Sequence, residues 1–160
     1  EIEEPRNQLN HGTIKGNIIH KIFEIYGQNY LEEKNWLKKL TQNLVEKENL
    51  IDEKTKNEII DLSFNFLDSQ LFTEIFSGIV KCEFEINYLQ KLYRIDLVIE
   101  QENEVLIIDY KSDEYLSPQA LQGYTKQLEL YKKAISQIYP HKKILIAILK
   151  INDLSLVKIS

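Results

Sequence analysis

The stretch VLIIDYK, Val105 to Lys111, constrains the fold most strongly. Side chains of a strand alternate between faces, so Val105, Ile107, Asp109 and Lys111 share one side and Leu106, Ile108 and Tyr110 the other. Both sides are apolar until Asp109. That is the pattern of a central strand covered on both faces, with Asp109 and Lys111 emerging together at its end.

The pattern around this strand changes period once. From about Gly12 to Tyr26, Ile14, Ile18, Ile19, Ile22, Phe23 and Tyr26 recur at helical spacing, with Thr13 as the expected N-cap. Two more helices are expected from about Leu31 to Glu48, through Trp36, Leu37, Leu40, Leu44 and Val45, and from about Asp52 to Leu67. A short helical stretch ends at Gly78, and beyond it the period becomes two. Strands are expected over about Val80 to Leu89, Leu92 to Glu100 and Glu104 to Lys111, as an antiparallel meander. A helix from about Pro118 to Ile138 follows, with proline in its first turn, and then two strand candidates, KILIAILKI and LSLVKI.

Composition limits the setting. At 160 residues and 43% hydrophobic content the chain suits one domain with its own core. A net charge of −5 argues against coating nucleic acid by bulk positive charge, though a local basic face remains open. The lone Cys82 makes neither an internal disulfide nor a four-cysteine zinc or iron–sulfur site, which suggests a reducing compartment. There is no apolar run of about 18 residues, and the acidic start does not resemble a signal peptide, so a soluble intracellular protein is expected. The chain has no methionine and is expected to be a segment of a longer protein.

Chemistry concentrates at the end of the central strand. Asp96 interrupts the apolar strand YRIDLVIE, where an aspartate is disfavoured and costly to bury unless paired or metal-bound. If the two strands pair through the QENE turn, Asp96 and Asp109 approach each other with Lys111 alongside. Two carboxylates and a backbone carbonyl are hard oxygen ligands of the kind Mg2+ or Mn2+ prefers, and such an ion lowers the pKa of a bound water and offsets phosphodiester charge. Lys111 fits orientation and charge stabilisation. Alone, the DYK tripeptide fits an exposed ion pair equally well.

These residues resemble the PD-(D/E)XK nuclease superfamily, and within it the RecB-like nuclease domains. GNIIHKIFE, Gly16 to Glu24, resembles the helical GxxxHxx(L/F)E motif; RID, Arg94 to Asp96, the G-x-ID-R strand; IIDYKSD the DYKT strand; and QLELY, Gln127 to Tyr131, the QxxxY motif. The motifs follow the family's order across nearly the whole chain. Two departures stand out: Leu92 or Tyr93 replaces the glycine of G-x-ID-R, and Leu97 and Val98 follow Asp96 where a basic residue belongs. Gly16, His20 and Glu24, spaced by four, share a helix face, so His20 can point toward the acids, and its imidazole suits Mn2+. Gln127 and Tyr131 are also i,i+4 neighbours, able to bond a phosphate or the catalytic strand, while Tyr131 fits a core position as well. Glu83 is the candidate additional acid, with Glu85 competing and a solvated strand face also open.

The resemblance implies an α/β, restriction-endonuclease-like central mixed sheet with an αβββαβ core and an added helical N-terminal region. It implies a single nuclease domain over residues 1–160, in which a helical region, residues 1–78, packs on a sheet and catalytic core, residues 79–160. Lys111, Asp109 and Asp96 are the implied catalytic residues. His20, Asp96, Asp109 and the Tyr110 backbone carbonyl are the implied ligands of Mg2+ or Mn2+, and Gln127, Tyr131 and Glu24 support the site. The end-of-chain layout resembles the nuclease domain of an AddA-type helicase-nuclease subunit, which carries no iron–sulfur cluster. That likeness implies an exonuclease acting on single-stranded DNA ends in double-strand break repair, in the bacterial cytoplasm at the nucleoid. Its partners are a helicase domain of the same chain, where ATP would bind, and a second helicase-nuclease subunit, with no membrane. The alternatives are an inactive nuclease-fold module with a binding or structural role in a repair complex, and a stand-alone structure-specific nuclease.

Overall fold

The computed structural model describes residues 11–112 and 115–159. The chain divides into two compact units, one up to Asp68 and one from Ser69 onward.

The first unit is helical: α1 (His11–Gln28), α2 (Lys34–Glu46) and α3 (Glu53–Leu67). Each helix forms around one apolar stripe, and the stripes meet in a core of Ile19, Ile22, Phe23, Tyr26, Leu37, Val45, Ile59 and Phe66. The Phe23 and Phe66 rings stack with centroids 4.3 Å apart. One buried polar pair, Tyr26 and Thr41, satisfies itself internally. Thr41 Oγ1 donates to the Leu37 carbonyl at 2.8 Å, so the Tyr26 hydroxyl donates to Thr41 at 2.6 Å. Burial pushes the Tyr26 phenol up to about 12. Asp52 caps α3 by accepting the Thr55 N–H at 2.8 Å.

Two helix expectations need correction. The first helix starts at His11, so Thr13 lies inside it rather than at its cap. The apolar stripe from Ile14 marks the buried face, not the first hydrogen-bonded turn. Trp36 is 47% exposed, and the buried stripe of α2 is Leu37, Thr41 and Val45.

The second unit opens with α4 (Gln70–Ile75), capped by Ser69, and turns at Gly78 with φ +65°. A Cβ at Gly78 would collide with the Glu100 carbonyl oxygen, so only glycine fits this turn. Then come β1 (Ile79–Tyr88), β2 (Lys91–Glu100), β3 (Glu104–Lys111), α5 (Pro118–Ile138), β4 (Lys143–Lys150) and β5 (Ser155–Ile159). The five strands form one sheet in chain order. The first three are an antiparallel meander, β3 and β4 run parallel through the α5 crossover, and β5 returns antiparallel. This is the expected α/β mixed sheet of restriction-endonuclease type. Ser117 accepts the Ala120 N–H at 3.0 Å and Pro118 occupies the first turn of α5, where its missing donor costs nothing.

Leu128, Tyr131, Ala134 and Ile135 of α5 cover one sheet face over Val98, Val105, Ile107, Ile146 and Ile148. Leu97, Ile99, Ile108, Ala147 and Leu149, on the opposite face by alternation, are also fully buried. The central strand is therefore closed on both sides, as the run VLII requires.

Alternation fails at one place. Lys81 pairs with Val98, and Lys81 Nζ reaches Tyr139 at the end of α5, so both residues face the helix. Phe84 pairs with Ile95 and Ile86 with Tyr93, whose ring packs edge-on against Tyr131 of α5, so these residues face the helix too. Positions 81 and 84, or 95 and 98, share a face only if each strand spends one extra residue between them. Those residues are Glu83, with φ +49°, and its neighbour across the ladder, Asp96.

Candidate active site

The shared irregularity of β1 and β2 is where the acids meet. Breaking the pleat in both strands at once keeps the register and releases Glu83 and Asp96 from normal alternation. A carboxylate oxygen of Glu83 then lies within 4.8 Å of one of Asp96. The competing Glu85 is exposed, its Oε1 3.2 Å from an Arg94 guanidinium nitrogen.

On the other side, β2 and β3 are in register through Leu97 and Ile108, which brings Asp96 opposite Asp109. Asp96 Oδ2 accepts the Tyr110 backbone N–H at 2.8 Å, so this carboxylate occupies a place in the sheet ladder. Burial first, then the charge of Asp109 and the hydrogen bond between the two carboxyls, hold Asp96 well above the usual carboxylate range. The Tyr110 N–H opposes that shift and Glu83 adds to it. A second carboxyl this close makes the charged form of Asp96 costly, which adds to the effect of burial.

Asp109 is 6% exposed, so it does not emerge at the strand end as alternation suggests. Its Oδ2 stands 2.8 Å from Lys111 Nζ as an ion pair, with no aligned hydrogen bond among the described residues. The same ammonium sits over the Tyr124 ring of α5, 4.2 Å from its centroid. The Tyr110 phenol points to the opposite face, where burial above all, with Cys82 and the acids beyond it, raises it well above its ordinary value.

The remaining expected residues lie on helices. Tyr131 is buried, its hydroxyl donating to the Arg94 carbonyl at 3.5 Å, and Gln127 is half-buried one turn earlier. His20 and Glu24 are half-buried on α1 in the helical unit, where Glu24 accepts from Gln28 at 3.3 Å. The sheet unit thus brings Glu83, Asp96, Asp109 and Lys111 together around the Tyr110 backbone. Sequence reasoning missed Arg94, 3.7 Å from Glu83 as well as close to Glu85, and Tyr124. Tyr124 left a signal, since it lies on α5 one turn before Leu128 and two before Tyr131.

The donors fit a divalent cation. Glu83 and Asp96 offer carboxylate oxygens within 4.8 Å of each other, Asp109 stands opposite Asp96 with one oxygen buried without an aligned hydrogen bond, and the raised Asp96 carboxyl is one that a cation would help ionise. Over residues 2–158 the sequence matches the PD-(D/E)XK nuclease superfamily. The chain belongs to that superfamily. PD-(D/E)XK proteins are nucleases that work with divalent metal ions, and the acidic cluster of the sheet unit has the composition such an ion needs. A solved structure described as "Crystal structure of SSO0001" is 14% identical, with 79% of this chain and 76% of that one covered at a TM-score of 0.31, too distant to bear on the fold. Comparison with curated proteins gives no match. No helix among the described residues is long and apolar enough to cross a membrane.

Proposed function

We propose that this PD-(D/E)XK domain is a Mg2+- or Mn2+-dependent deoxyribonuclease that hydrolyses phosphodiester bonds in single-stranded DNA ends. The observation that supports this reading is the placing of the Asp96 carboxylate, which accepts the Tyr110 N–H at 2.8 Å with a Glu83 carboxylate oxygen within 4.8 Å and Asp109 opposite it on the next strand.

Asp96 and Asp109 would hold the metal, with Glu83 as an additional acid; their proximity and hard oxygens support this. The Tyr110 carbonyl is a further ligand, since it leaves the strand from the same edge as the N–H that reaches Asp96. His20 completes the set on the strength of its motif spacing with Gly16 and Glu24. A bound divalent ion supplies charge that offsets the phosphodiester and acidifies a water. Lys111, fixed against Asp109, orients that water and counters the negative charge of the transition state. Tyr131 anchors the β2 backbone at Arg94, which steadies the strand bearing Asp96. Gln127 and Glu24 support the site from their helices.

The decisive measurement incubates the chain with an end-labelled single-stranded oligodeoxynucleotide and Mn2+ or Mg2+. Metal-dependent cleavage that falls at least about a hundredfold in Lys111→Ala is expected. An intact oligonucleotide with both metals, or a Lys111→Ala variant equal to its parent, sinks the proposal. The finer role, the exonuclease of an AddA-type helicase-nuclease in double-strand break repair, rests on motif order and end-of-chain layout. Helicase motifs upstream in the same gene are its expected signature, and their absence removes it.

A further inference from the structure

We infer that Tyr124 is a positioning residue for Lys111, its ring serving as one wall of a clamp whose other wall is Asp109; this rests on the nuclease reading of Lys111. Among the described residues of the sheet unit, the Lys111 ammonium meets Asp109 and Tyr124. Asp109 Oδ2 is 2.8 Å away, and the Tyr124 ring lies 4.2 Å away by its centroid. A cation attracts an aromatic face out to about 6 Å, so this contact is close, and the half-buried setting strengthens it.

The two walls answer a specific difficulty. Lysine is a point charge on a flexible four-carbon stem, and Asp109 alone would let the ammonium swing about one ion pair. The carboxylate is itself wanted by the metal, so its hold on Lys111 weakens once a cation is bound. The ring face offers no oxygen to the metal, so its attraction for the ammonium does not depend on metal binding. Tyr124 also packs against the sheet core beneath α5, which fixes the ring plane. Lys111 therefore keeps its place when Asp109 turns to the metal, and its free N–H groups stay directed away from the ring. In this role the face of the ring acts and the hydroxyl does not.

Three variants separate this role from simple packing: Tyr124→Phe keeps the face, while Tyr124→Leu and Tyr124→Met keep apolar bulk without it. With Mn2+ and a single-stranded oligodeoxynucleotide, kcat is expected to drop about tenfold to a hundredfold in Tyr124→Leu and Tyr124→Met, with KM within about twofold. Tyr124→Phe is expected to stay within about twofold of the parent in both. Amine-detected NMR gives a reading that needs no activity. Lys111 Hε and Nζ resonances should lie upfield of the other lysines in the parent and Tyr124→Phe, and lose that displacement in Tyr124→Met or Tyr124→Leu. Parent-like kcat in a folded Leu or Met variant overturns the inference, as does a Phe variant as impaired as these, or a Lys111 shift that none of them changes. If the parent cleaves nothing, the nuclease reading fails, and the resonances still decide whether the ring holds Lys111.

Discussion

Asp96 is the residue at which stability and chemistry pull in opposite directions. Its folded carboxyl holds a proton more tightly than an unfolded aspartate, chiefly through burial and then through Asp109. A group raised in this way contributes stability at low pH that is lost as pH climbs through its folded pKa. Without metal, the thermal midpoint should therefore fall as pH rises from the ordinary carboxylate range toward neutrality. Mn2+ would compete with that proton, so the increment it adds should grow over the same interval. Thermal melts with and without Mn2+ across that range measure both slopes, and Asp96→Asn, which keeps an acceptor for the Tyr110 N–H, should flatten both. An increment independent of pH means that the metal does not compete with this proton.

Glu83 is a second residue whose conformation is costly. At φ +49° it sits in the left-handed region, which costs a non-glycine residue roughly 1–2 kcal/mol. Glu83→Gly should be more stable than Glu83→Ala by about 1 kcal/mol in urea titrations without metal. That order is the reverse of what an ordinary strand position gives. Equal stabilities would mean that the backbone there is relaxed.

At the scale of elements, the β1–β2 hairpin shows the same signature. Tyr88 pairs with Lys91 across a two-residue loop, Leu89 and Gln90, with φ of +51° and +65°. Two positive φ values identify a type I′ turn, which favours Asn-Gly, yet a leucine stands here 74% exposed. Replacing the pair by Asn-Gly should stabilise the unit by about 1 kcal/mol without disturbing the site. A higher denaturant midpoint with unchanged slope is the expected result, and an unchanged midpoint argues that the turn is already unstrained.

These irregularities mark where the sequence stopped being legible. The strands, the α5 helix and the covered central strand could be read because unbroken periodicity and the Pro118 start report on burial and caps directly. The DYK motif led to Asp109, Lys111 and Asp96 because a polar residue inside an apolar strand is conspicuous. What escaped was the paired break at Glu83 and Asp96. Period-two reasoning assumes a continuous pleat, and a glutamate carries no mark of a positive φ. Under strict alternation Glu83 and Glu85 are equivalent; the break brings one to Asp96 and leaves the other at the surface with Arg94. Tyr124 escaped for a different reason, since an aromatic on an amphipathic helix reads as core until the cation above it is seen.

Over the whole molecule, 25 acidic residues against 20 basic ones give a net charge of −5, an unfavourable start for binding a polyanion. Proteins that hold DNA through many lysines and arginines release many counterions, and their affinity falls steeply with salt. Here the candidate site is itself acidic: Glu83, Asp96 and Asp109 would repel a phosphodiester unless a cation lies between them. If the proposed function is correct, the divalent ion is needed for binding as well as cleavage. Fluorescence anisotropy with a labelled single-stranded oligodeoxynucleotide and Lys111→Ala, to suppress turnover, should show affinity at least about tenfold weaker with chelator than with Mn2+. With Mn2+ present, the slope of log affinity against log salt should be shallow, about −1 to −3, because few phosphates meet a lysine or arginine. Metal-independent binding with a slope of about −5 or steeper would instead point to a basic surface that takes up the strand, leaving the acidic cluster a role in cleavage alone.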